Sequence, residues 1–96
     1  KVGGITEMQK VANLAEAAGV VTMPHSPYFG PGFLATVQFA AAQPVESFLE
    51  RFYCELEASL YGELINTVDG DFVVPMGPGL GCEPDLDVIK EYAVDV

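Results

Sequence analysis

The only histidine of the chain, His25, follows an apolar run, and the carboxylate of Glu50 stands near the end of a second predicted strand further along. The ordinary pKa of histidine, about 6.5, lets either protonation state exist at neutral pH, so an imidazole can act as a general acid or base. A carboxyl group can assist by exchanging a proton or by orienting the ring. The alternative is a histidine that only hydrogen-bonds the backbone.

Two short strands are predicted to carry these residues. Residues 20–23 are apolar or β-branched and read as a buried strand, which the prolines and glycines of residues 24–32 end. Residues 47–52 read as the next strand and include Glu50. His25 and Glu50 therefore fall near the carboxyl ends of consecutive strands.

Helices are predicted before each of these strands. Residues 8–18 repeat apolar positions every three or four residues, with Thr6 as the predicted N-cap and Gly19 as the terminating glycine. Residues 33–42 form a second helix that is apolar on nearly every side, so it must be covered on more than one face. The alternation of helix and strand predicts an α/β fold, specifically the last units of a (β/α)-barrel, in which active sites gather at the carboxyl ends of the strands.

The second half of the chain is predicted to be irregular. Asp69-Gly70 between β-prone runs predicts a hairpin, and Pro84 and Asp85 open a short helix over residues 85–94. The glycines of residues 76–81 resemble a phosphate-binding loop, but Pro78 interrupts the register, so a connector is expected.

Composition excludes several classes of partner. The formal net charge is −10 and no cluster of Lys or Arg occurs, so we expect neither nucleic-acid nor membrane binding. No apolar run is long enough to span a bilayer. Cys54 and Cys82 match no metal or redox spacing, which favours free thiols in a reducing, cytoplasmic setting. The acidic residues of the second half read as solvated turns, and no metal ligand is assigned to them.

Four motifs together resemble the C-terminal end of the mandelate racemase and muconate-lactonizing branch of the enolase superfamily. They are Lys1-Val-Gly-Gly-Ile-Thr-Glu7 before a helix, Met23-Pro-His-Ser26, Phe48-Leu-Glu-Arg51, and the glycine-rich residues 73–81 followed by Glu83-x-Asp85. The resemblance implies that residues 1–52 are the last β/α units of a barrel. Residues 53–96 would be a C-terminal wrap, whose hairpin and helix pack on a capping domain. It also agrees with the missing initial methionine, and we expect the chain to be part of a longer protein.

The resemblance implies roles for individual residues. His25 would move the proton α to a substrate carboxylate, and its partner aspartate would lie just upstream of Lys1. Glu50, kept protonated by buried surroundings, would donate a hydrogen bond to the developing enediolate. The alternative for Glu50 is a surface carboxylate paired with Arg51. Tyr28 and Phe29 either wall the substrate pocket or pack under the loop.

The expected function follows from these roles. The full-length protein would be a sugar-acid dehydratase or racemase that binds a small carboxylate substrate and forms homo-oligomers. Mg²⁺ would stabilise the enediolate, with its ligands upstream of this chain. The 96 residues alone would be inactive. The alternative is a non-catalytic interaction module, in which the apolar helix of residues 33–42 docks on a partner.

Overall fold

The computed structural model describes residues 2–95, so Lys1, which opens the first of the four motifs, and Val96 lie outside the described residues. In chain order the elements are α1 (Ile5–Ala17), α2 (Pro31–Ala41), a 3₁₀ turn (Gly62–Ile65), β1 (Thr67–Val68), β2 (Asp71–Phe72) and α3 (Leu86–Glu91). β1 and β2 are antiparallel, with Thr67 opposite Phe72 and Val68 opposite Asp71.

α1 begins earlier than the sequence predicts. Its N-cap is Gly4, with no side-chain cap, so the predicted cap at Thr6 is wrong and Thr6 lies in the first turn. Gly19 ends the helix region with a φ of +69°, as predicted, because glycine adopts this left-handed conformation without a steric penalty. Ala12 is the buried residue of this helix. α1 and α2 are in contact with each other.

α2 is the centre of the core. Phe33, Leu34 and Val37 are buried, together with Ile65 from the 3₁₀ turn. Half-buried apolar side chains from both halves of the chain surround them, namely Phe29, Leu49, Tyr61, Phe72, Val74, Leu80 and Cys82. The prediction that this helix is covered on more than one face is therefore confirmed. The same burial removes the exposed helix that the interaction-module hypothesis required.

The two strands predicted to carry the site are not formed. Within residues 2–95 the only strand pairing joins β1 to β2, and residues 20–23 and 47–52 have no regular structure. Val20, Met23 and Phe48 are exposed, whereas the first segment was predicted to be buried. A strand needs a neighbour that accepts and donates its backbone hydrogen bonds, and no described segment lies in register beside either one.

The hairpin and the last helix agree with their sequence signals. Asp69 and Gly70 both have positive φ, as the tight turn between β1 and β2 requires. The Asp85 carboxylate accepts hydrogen bonds from the backbone N–H groups of Asp87 and Val88 at 2.9 and 3.2 Å, which fixes the start of α3. α3 ends at Glu91, before the predicted boundary at residue 94.

The glycine-rich loop is a packed connector. Gln38 of α2 donates to the carbonyl oxygens of Pro75 and Leu80 at 2.7 and 3.2 Å, and the Gly77 N–H donates to the Gly81 carbonyl at 3.0 Å. The two Gln38 bonds tie the loop to α2, and the Gly77 bond closes the loop on itself. None of the helices described in residues 2–95 has the length and apolar character needed to cross a membrane.

Candidate active site

The structure brings His25 and Glu50 into direct contact. His25 Nδ1 lies 2.5 Å from Glu50 Oε2, although neither residue belongs to a helix or a strand. The side chains are 78% and 46% exposed, respectively. A carboxylate at one ring nitrogen favours the tautomer in which that nitrogen carries the proton, which leaves Nε2 as the atom able to exchange a proton with a ligand.

Ser26 fixes the carboxylate from a second side. Its backbone N–H donates to the same Oε2 atom of Glu50 at 3.1 Å. The Ser26 hydroxyl is buried and donates to Thr36 Oγ1 at 3.0 Å, and the Thr36 hydroxyl donates to the Gly32 carbonyl at 2.9 Å. A continuous set of hydrogen bonds thus connects α2 with the residue that holds Glu50.

A cavity of about 880 Å³ lies beside His25, and Glu50 is not among the residues that line it. His25, Tyr28 and Phe29 line it on one side, and residues from the start of α1 and from α2 line it on the other, among them Ile5, Met8, Ala35 and Phe39. Phe29 also packs against the core cluster and makes an edge-to-face contact with Phe52. Phe29 was expected either to wall a pocket or to pack under its loop. The ring does both, because it lines the cavity and also packs against the core cluster.

The surroundings of Glu50 differ from the expectation. The side chain is about half exposed rather than buried, so burial in this chain does not isolate it from water. The alternative pairing with Arg51 is not formed either. The Arg51 guanidinium meets the Glu55 carboxylate at 3.3 Å and the Asn66 side-chain oxygen at 2.8 Å. Glu50 is therefore free of Arg51 and engaged by His25.

The acidic side chains are possible metal ligands. Among the described residues, no three His, Cys, Asp or Glu side chains come together in a way that could hold a metal ion. The residues of this part of the chain consequently do not fit a Mg²⁺ site.

Sequence reasoning missed the supporting role of Ser26 and Thr36. The signal was present, because Thr36 and Gln38 are the only polar residues that interrupt the apolar run of residues 33–42. A polar side chain on an apolar helix that must be covered needs a hydrogen-bond partner. Thr36 finds it in Ser26, and Gln38 finds it in the glycine-rich loop.

A histidine that contacts a carboxylate and lines a cavity is chemically able to exchange a proton with a small molecule bound there. The family model described as "Enolase C-terminal domain-like" matches residues 1–88, and the chain belongs to this family. The resemblance to the enolase superfamily is thereby confirmed, and with it the α/β class of the fold.

Curated relatives match nearly the whole chain. It is 34% identical to D-galactarolactone cycloisomerase of Agrobacterium fabrum, over 94% of this chain and 26% of that protein. It is 35% identical to muconate cycloisomerase 1 of Rhodococcus opacus, over 96% and 26% of the two chains. It is 33% identical to D-gluconate dehydratase of Thermoproteus tenax, over 98% and 20%. The chain spans a fifth to a quarter of these relatives' length, and no solved structure matches it.

Proposed function

We propose that this chain supplies the last part of a (β/α)-barrel enzyme that removes the proton α to the carboxylate of a sugar acid or a related acid. Membership of the family and the names of its relatives, which include dehydratases and cycloisomerases, support this class of reaction. The observation that carries the proposal is the 2.5 Å contact between His25 Nδ1 and Glu50 Oε2 at the edge of the cavity.

His25 is the proposed proton-transfer residue. With Nδ1 directed to Glu50, the unprotonated Nε2 can take the α-proton, and the electron pair of the broken C–H bond moves into the carboxylate to give an enediolate. In a dehydratase the β-hydroxyl then leaves with a proton as water. In a racemase a proton returns to the other face of the same carbon.

Glu50 is proposed to act at the same site in two protonation states: the carboxylate orients the His25 ring, and the protonated acid donates a hydrogen bond to the enediolate, as the family resemblance implies. Its position next to His25 gives it a second route of action, because the carboxyl group can pass or hold a proton for the ring. Tyr28 and Phe29 are proposed to contact the substrate, since both line the cavity.

The barrel assignment is part of this proposal. Residues 20–23 and 47–52 would become its last two strands when preceding strands supply the missing hydrogen bonds. Their exposed apolar residues, including Val20, Val21 and Phe48, would then be covered. Residues 1–52 would belong to the barrel and residues 53–96 to the C-terminal wrap.

The remaining properties are expected of the complete enzyme. Mg²⁺ would be bound by residues outside this chain, as the family resemblance implies. We propose a cytoplasmic homo-oligomer whose partner is a small carboxylate substrate, and neither a nucleic acid nor a membrane. The isolated 96 residues would be inactive.

The test uses the full-length protein with a panel of sugar acids in D₂O. We expect exchange of the α-hydrogen with solvent, with a 2-keto-3-deoxy acid as the product if the enzyme is a dehydratase. His25→Asn should lower the exchange rate by roughly 10²–10⁴-fold without loss of folding, because the general base is removed. Lys10→Gln on the exposed face of α1 is the control. Unchanged exchange by the His25 variant would remove His25 from the mechanism.

The same experiment separates the two reactions. Exchange of the α-hydrogen with no keto acid formed would reject the dehydratase and support the racemase. Absence of both exchange and product with every acid would reject the proposed function.

A further inference from the structure

We infer that Arg51, the only arginine of the chain, is a positioning residue that holds the two sides of the candidate site together, Glu50 on one side and the loop of Tyr28 and Phe29 on the other. This inference rests on the proposed function for its kinetic consequence. Its structural consequence can be measured independently.

The Arg51 side chain is 22% exposed, and its guanidinium engages several acceptors at once. Nη1 donates to the backbone carbonyls of Phe52 and Cys54, the second at 3.1 Å. Nη2 donates to Asn66 Oδ1 at 2.8 Å and to the exposed Glu55 carboxylate at 3.3 Å. The backbone that directly follows Glu50 is therefore folded around this side chain.

The same guanidinium reaches the wall of the cavity. Its central carbon lies 5.7 Å from the centre of the Phe29 ring, within the range of a cation–π contact. Phe29 follows Tyr28 in the loop that begins just after His25, and both rings line the cavity. Arg51 thus connects the segment of Glu50 with the segment of His25 through contacts separate from those of Ser26 and Thr36.

The anchor of this arrangement lies in the core. Asn66 accepts from Arg51 and donates to Glu63 at 2.8 Å, and it directly follows the buried Ile65. A side chain fixed to the core in this way can hold two irregular segments in place where no strand hydrogen bonds do so. Lysine cannot replace it, because an ammonium group lacks the planar fork that donates to several acceptors and stacks on a ring.

The test compares Arg51→Lys, Arg51→Ala and Lys10→Ala in the full-length protein. We expect Arg51→Lys to lower kcat/KM by about tenfold or more, by raising KM and lowering kcat together, while the melting temperature changes little. Free guanidinium, well below a denaturing concentration, should restore part of the activity of Arg51→Ala. It should not raise that of Lys10→Ala.

A readout besides activity separates this inference from the proposed function. The ¹⁵N shifts of the His25 ring nitrogens report its contact with Glu50 whether or not any acid is turned over, and we expect both Arg51 variants to change them. Lys10→Ala should leave them as in the unaltered protein. Two results would overturn the inference. The first is that the ring shifts of Arg51→Lys equal those of the wild type. The second is that guanidinium does not restore the activity of Arg51→Ala and that its loss of activity equals the fraction of unfolded protein.

Discussion

His25 Nδ1 and Glu50 Oε2 lie 2.5 Å apart in a part of the chain that has no regular secondary structure. Two sets of contacts hold this pair. Ser26 and Thr36 link it to α2, and Arg51 links it through Asn66 to the core. The geometry therefore depends on a few polar side chains, and each of them can be tested separately.

Glu50→Gln should lower α-hydrogen exchange by roughly 10–100-fold in the full-length protein. The amide can still accept from the Ser26 N–H, but it loses the charge that strengthens the hydrogen bond from the imidazole, and such a bond contributes about 1.5–3 kcal/mol. Glu46→Gln, an exposed carboxylate in the same part of the chain, is the matched control. Exchange at the wild-type rate would show that Glu50 has no role in proton transfer.

Thr36→Val should destabilise the full-length protein by about 1–3 kcal/mol, because the shape is kept while the buried Ser26 hydroxyl loses its acceptor. Chemical denaturation measures the change. Thr67→Val, on the exposed face of β1, is the control. The double variant Ser26→Ala/Thr36→Val should lower the free energy of unfolding by less than the two single changes added together. If the two losses of free energy simply add, the two hydroxyls are not paired.

Gly81→Ala should destabilise the protein more than Gly79→Ala does. Both glycines have positive φ, so alanine at either position costs about 1–2 kcal/mol of backbone strain. Only at Gly81 would the added Cβ also lie 2.3 Å from the Pro75 carbonyl oxygen, whereas at Gly79 nothing lies within 4 Å. Equal losses of melting temperature for the two variants would refute the close packing of this loop.

The ionisation of Tyr61 is expected to destabilise the protein at alkaline pH. Burial, assisted by the charges of Cys82 and Glu83, raises the pKa of the Tyr61 phenol above 10.0. The folded state therefore holds this proton more tightly than the unfolded state. The resulting stabilisation is present below the unfolded pKa and is lost as the pH rises through the folded pKa.

Tyr61→Phe should accordingly move the midpoint of alkaline unfolding of the full-length protein to higher pH, as followed by circular dichroism. Tyr53→Phe, which alters a side chain that is 88% exposed, is the control and should leave the midpoint in place. A midpoint unchanged by Tyr61→Phe would contradict the role of this half-buried phenol.

Local signals in the sequence predicted the local elements well. The apolar spacing located α1, the nearly continuous apolar run of residues 33–42 located α2, Asp69-Gly70 located the hairpin, and Asp85 located the start of α3. Each of these features depends on residues close together in the chain. The missed cap of α1 is also local, since Gly4 occupies the N-cap where Thr6 was expected.

The sequence alone was enough to find the histidine and the carboxylate that could exchange a proton, and the four motifs that resemble the family. Residue types and their spacing along the chain can be read without a structure. The tertiary structure decided that His25 meets Glu50, that Arg51 meets Phe29 and Asn66 instead of Glu50, and that residues 20–23 and 47–52 lie unpaired within the described part of the chain. The physical reason is that hydrogen bonds and ion pairs between distant residues form only where packing brings the backbone together. For this chain that packing is the burial of α2.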